Sequence, residues 1–112
     1  MSRPRIYFKH ELPGEVVSVA VAVIVDYDRR ARAIRQGVLS EHLLSWYHHY
    51  NEIVEEGLCV VEEGARREML SDSVSGRGYE HSMIARMYAK DTYYNRKREL
   101  IYRVARGLGL CE

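Results

Sequence analysis

Residues 82–110 read SMIARMYAKDTYYNRKRELIYRVARGLGL, and the way this stretch folds decides how the whole chain is read. From Thr92 to Arg106 neither proline nor glycine interrupts a run rich in helix formers. The run predicts one helix of about four turns over residues 92–107. Asp91 is the expected N-cap. Gly107 and Gly109 are the expected stop, because glycine enters the left-handed conformation at a helix end without a Cβ penalty. Ahead of this helix, Met83, Ile84, Met87 and Tyr88 supply the apolar positions of a shorter helix over residues 81–88, and only Ala89, Lys90 and Asp91 lie between the two. Two helices joined by so short a corner form a helix-turn-helix, here over residues 79–110.

At 100° per residue, Tyr93, Leu100, Ile101, Val104 and Leu108 share one arc, flanked by Tyr94 and Ala105, and this arc is the expected buried face. The opposite arc carries Thr92, Asn95, Arg96, Glu99, Tyr102, Arg103 and Arg106. Amide and guanidinium groups can read base edges or neutralise phosphates. The candidate contacts to double-stranded DNA are therefore Lys90, Thr92, Asn95, Arg96 and Arg103. The competing reading is the solvated face of an ordinary amphipathic helix. Lys97 is anomalous, since it falls within the apolar arc and must either snorkel outward or meet a carboxylate from another helix.

Working back from this stretch, the 112 residues, 46% hydrophobic and 29% charged, suit a single domain with a modest core. Pro13, the helix-forming continuation DYDRRARAIRQ and Gly37 predict one long helix over residues 13–37, although the valine-rich start also has strand character. Its segment 16–25 is apolar nearly all round, so it is expected at the centre of the domain or in a homo-oligomer interface. A second long helix is expected over residues 40–70, capped by Ser40. Leu43, Tyr47, Tyr50, Val54, Leu58, Val61 and Ala65 recur on it at spacings of three and four. Gly57 and Gly64 weaken that helix and mark either a close crossing or a break. Residues 71–78, SDSVSGRG, read as a loop. The fold expected is all-α, two long helices followed by the C-terminal helix-turn-helix.

Charge is unevenly placed. Residues 1–76 hold 9 basic and 12 acidic residues and residues 77–112 hold 8 and 4, so the last third carries +4 against −3 for the rest. This is the pattern of a nucleic-acid face at one end. His42, His48 and His49 near Glu52 lack any metal-site spacing, and no nucleophile elbow, P-loop or dinucleotide fingerprint occurs, so neither an enzyme nor a metal or cofactor site is expected. Cys59 and Cys111 have no CxxC spacing, and a reducing cytoplasm fits them. The ten residues of the apolar run 16–25 fall short of the roughly twenty that span a bilayer, so no membrane segment is expected.

Thr92-Tyr93-Tyr94, Lys97-Arg98, Ile101, Val104-Ala105 and Leu108-Gly109-Leu110 resemble the C-terminal end of small phage transcriptional regulators of the RinA and ArpU kind. Asp26-Tyr27, Arg29-Arg30, Ile34 and Gly37 are similar to the N-terminal part of the same proteins. The resemblance implies a helical regulator of phage late genes with a helix-turn-helix related to the promoter-reading part of sigma factors, which makes RNA polymerase an implied partner. Many of those sequences carry a capping serine where this chain has Ala89. The alternative function class is a helical oligomerising module, such as a phage packaging or adaptor subunit.

Overall fold

Every regular element of the computed structural model is helical among the residues it describes, 11–83 and 87–112. Five α-helices form in order: α1 Gly14–Val25, α2 Tyr27–Gln36, α3 Glu41–Gly57, α4 Arg66–Ser75 and α5 Lys90–Gly107, with short 3-10 turns at Leu58–Val60, Glu63–Ala65 and Tyr79–His81. The all-α expectation is met, and several expected boundaries move.

The first long helix divides at Asp26. Pro13 starts it as expected, its carbonyl accepting from the Val16 and Val17 amides at 3.0 and 3.1 Å, and Gly37 ends it with φ 71°. At Asp26 the backbone leaves helical geometry, with φ −88° and ψ 5°. Its carboxylate receives Arg29 Nε at 2.7 Å and Nη2 at 2.6 Å. Arg30 turns inward beneath the break, where its guanidinium donates to the Val23 carbonyl at 2.5 Å and to Asn51 Oδ1 at 2.6 Å. The division therefore gives a buried cation two acceptors, one of them a main-chain carbonyl of α1.

The second long helix also divides. Ser40 caps α3 as expected, with Oγ accepting from the Leu43 amide at 3.2 Å. Beyond Gly57 the chain tightens, and Val61 is extended, with φ −101° and ψ 138°. The break lets Leu58, Val61 and Ala65 all enter the core, while the Val61 carbonyl accepts from Arg66 Nε at 2.8 Å. The expected loop at residues 71–78 starts later, because residues 71–75 complete α4 and Gly76 closes it with φ 76°.

α5 is the axis of the packing. It lies against α1 and α3, α1 also meets α4, and α2 rests mainly on α3. Tyr93, Leu100, Val104 and Ala105 of α5 are fully buried among Ile24, Val54, Val61, Met69 and Leu70. The arc read from the sequence is therefore the core face. α3 and α5 cross antiparallel through two glycines. A Cβ on Gly57 would lie 3.1 Å from both Leu100 Cδ1 and Val104 Cγ2, and one on Gly107 would lie 2.8 Å from Ile53 Cγ2. Gly107→Ala should accordingly lower stability by about 1–2 kcal/mol despite the better helix former, because the β-branched neighbour cannot swing away. A urea midpoint equal to or above that of the parent chain would show that α3 yields at this point.

α5 begins at Lys90, two residues earlier than expected, and its N-cap is Ala89 with no side-chain cap; Asp91 sits inside the first turn. Its C-terminus follows the glycine logic closely. Gly109, at φ 79°, donates to the Arg106 carbonyl at 2.9 Å, and the Leu110 amide to the Ala105 carbonyl at 3.0 Å, which is a Schellman closure. The expected short helix over residues 81–88 is not α-helical among its described residues. His81 ends a 3-10 turn, Ser82 is extended, and Met87 and Tyr88 lie in a turn and a bend. Ile84 lies outside the described residues. Tyr79 and Tyr88 are tied here by hydrogen bonds rather than by helix pitch, the Tyr79 hydroxyl donating to the Tyr88 carbonyl at 2.8 Å.

Candidate nucleic-acid interface

The N-terminus and outer face of α5 carry the side chains singled out from the sequence, and the structure divides them by what already holds them. Lys90 is exposed, with Nζ 3.1 Å from Glu80 Oε2. Arg96 is clasped more firmly. Its Nη2 and Nε reach Glu62 Oε2 and Oε1 at 3.0 and 3.3 Å, and its guanidinium stands 5.8 Å from the centre of the Tyr88 ring. The Tyr88 hydroxyl donates to the same carboxylate. Hydrogen bonds from Arg96 and then Tyr88 hold the Glu62 carboxyl at a pKa of about 2. A carboxylate held this low stays ionised, so the clasp is complete above the ordinary carboxylate range and opens only as pH falls towards 2.

Asn95 is half-buried, and its Oδ1 is shielded without a hydrogen-bond partner among the described residues. Thr92 is half-buried at the start of the helix. Arg103 and Arg106 are exposed and make no ion pair among the described residues. They border an open cleft with Ile53, Glu56, Gly57 and Gly107. Of the candidate contacts, Arg103 in the C-terminal half of α5 is thus the exposed cation that no carboxylate holds among the described residues. Tyr102, expected to face outward, is half-buried with its hydroxyl donating to the Glu112 carbonyl at 2.8 Å.

Lys97 takes the snorkelling course. Its Nζ lies 5.6 Å from the centre of the Tyr93 ring, and its stem borders a small cleft with Val21, Ile24, Leu100 and Ile101. No protein-family model matches the chain, and neither a curated protein nor a solved structure does.

Glu62 and Glu80 were not legible as partners of α5, because each approaches it through a chain reversal that no local pattern announces. No group of three His, Cys, Asp or Glu among the described residues could hold a metal ion. His42 instead accepts from Trp46 Nε1 at 3.1 Å on the exposed face of α3. No helix among the described residues is long and apolar enough to cross a membrane.

Proposed function

We propose that the chain is a DNA-binding transcriptional regulator of phage or prophage type that meets double-stranded DNA with the outer face of α5. The observation that supports this reading most is the docking of α5. One face is fully buried, and the opposite face holds Arg103 and Arg106 exposed and unpaired among the described residues. Lys90 and Arg96 form a reserve. Their pairs with Glu80 and Glu62 lie at the surface, where such pairs contribute little, so phosphate oxygens can replace the carboxylates at small cost. Thr92 lies on the same face for base contact, and Asn95 would join it by turning its shielded Oδ1 outward. RNA polymerase is the protein partner that a promoter-reading role entails.

Mobility shift over a salt series tests the assignment. Arg103→Ala and Arg106→Ala should each weaken binding to all duplexes and reduce the log–log salt slope by about one unit. Glu62→Gln should tighten binding a few-fold by releasing Arg96. If these three variants bind as the parent chain does, α5 is not the contact surface.

A second reading, a helical module that forms homo-oligomers, is favoured by a different observation. Val38, Leu43 and Trp46 stand exposed at the end of the α2–α3 hairpin, at 79%, 43% and 44%. The segment 16–25, by contrast, turns Ala20 and Ile24 into the core beside α4 and α5, half-buries most of its valines and leaves Val19 as its one large exposed apolar side chain. Sedimentation equilibrium of Trp46→Ser against the parent chain distinguishes the two surfaces.

A further inference from the structure

Most of the described arginines are engaged. Arg29 is held by Asp26, Arg30 is buried on Asn51, Arg77 meets Asp72 and Glu68, and Arg96 meets Glu62. Arg32 and Arg35 are exceptions. They lie one turn apart on α2, both exposed and neither in an ion pair among the described residues. Arg67, in the first turn of α4, joins them from another part of the chain. Its side chain is 72% exposed and reaches Asp28 at 3.1 Å. Tyr27, Asp28, Ala31, Arg32, Arg35 and Arg67 together line one open hollow, in which three guanidinium groups face a single carboxylate.

We propose that this hollow on α2 and α4 is a second contact surface, for the phosphate backbone of nucleic acid, separate from the α5 face. It rests on the reading of the chain as a DNA-binding protein. The hollow is open rather than enclosing, which suits a linear polyanion better than a small anion. Arginines at i and i+3 are neighbours on a helix surface and can reach successive phosphates, each offering the paired donors that match phosphate oxygens. The outer face of α2 bears no large apolar side chain to insert into lipid, which a membrane-surface helix requires.

The separation from α5 follows from α3. Asn51 and Glu55 turn towards α2, whereas Ile53 and Gly57 turn towards α5, and at helical pitch Asn51 and Ile53 point about 160° apart. The two surfaces share no side chain, so their contributions to binding should add.

The test uses the full chain and short duplexes of unrelated sequence across a salt series. Arg32→Gln/Arg35→Gln should lower affinity for every duplex about tenfold and reduce the log–log salt slope by about two units, with sequence preference unchanged. Arg32→Lys/Arg35→Lys should keep the salt slope and lose part of the affinity, since the charge stays and the paired donors go, and this split is the readout if the glutamine pair perturbs the fold by circular dichroism. Combining the glutamine pair with Arg103→Ala should add the two losses. If the glutamine pair binds as the parent does while Arg103→Ala still weakens binding, the second surface is overturned and the α5 reading stands. If the parent chain shows no salt-dependent binding to any duplex, both fall. If the pair loses capture by phosphatidylserine vesicles but not by DNA, the surface belongs to a membrane contact and this proposal is wrong.

Discussion

Asp72→Ala is expected to destabilise the fold by about 3 kcal/mol or more, which is the scale for breaking a buried charge interaction from one side. Asp72 is wholly buried on α4. Its carboxylate accepts from the Tyr93 hydroxyl at 2.9 Å and from Arg77 Nε at 3.0 Å, so it joins α4 to the buried face of α5 and to the chain leaving α4. Burial, then the bond to Asp72, pushes the Tyr93 pKa well above its ordinary value, so the hydroxyl remains a donor into strongly alkaline solution. Removing the carboxylate leaves that hydroxyl buried without an acceptor, at a cost of about 1–3 kcal/mol by itself. Adding Tyr93→Phe should therefore recover part of the loss, and Asp72→Asn, which keeps one acceptor oxygen, should lose less than alanine does. Urea unfolding with an unchanged slope is the measurement. A change below about 1 kcal/mol for Asp72→Ala would mean that water or a rearranged Arg77 replaces the carboxylate.

Arg30→Ala should follow closely, at about 2–4 kcal/mol, through stranded acceptors more than through lost charge. The guanidinium is 4% exposed, and its removal leaves Asn51 Oδ1 and the Val23 carbonyl without their donor. Burial pulls the Arg30 pKa down, with Asp26 opposing, yet the group has no need to give up its proton at any ordinary pH. Arg30→Met separates the contributions. It restores most of the buried volume and leaves both acceptors unpaired, so its loss should stay near that of alanine. Hydrogen exchange should locate the effect at residues 23–30, where α1 gives way to α2. If Arg30→Met is as stable as the parent, the side chain acts as filler and the polar contacts are incidental.

Much of the candidate site was visible in the sequence at the level of faces and not at the level of availability. The wheel on residues 92–107 places Tyr93, Leu100, Val104 and Ala105 inward, and they are buried. The same wheel places Arg96 and Arg103 outward without distinguishing the first, which Glu62 holds, from the second, which no carboxylate holds among the described residues. Charge counted along the chain also concealed something. Residues 1–76 sum to −3, and a total of that kind says nothing of where Arg32 and Arg35 stand on the folded surface. The i, i+3 spacing of that arginine pair was readable, whereas the arrival of Arg67 beside it was not.

What the sequence determined by itself was helical character, because periodicity, capping and glycine stops are local and act within a few residues. Ser40 caps α3, Gly37 ends α2, Gly109 closes α5, and the apolar arc of residues 92–108 faces the core. What only the tertiary structure decided was where long helical patterns break and which charges stay free. The break at Asp26 is accompanied by Asn51, and the break after Gly57 lets Leu58, Val61 and Ala65 reach one core. The element before α5 is held by tyrosine hydrogen bonds, one of them from the Glu62 amide, remote in sequence, to the Tyr88 hydroxyl. A helix interruption costs a small local free energy, comparable to one or two hydrogen bonds, so a buried cation or a better-filled core is enough to impose it. The contact from Arg30 to Asn51 spans 21 residues and that from Glu62 to Tyr88 spans 26, beyond the reach of any pattern along a single helix.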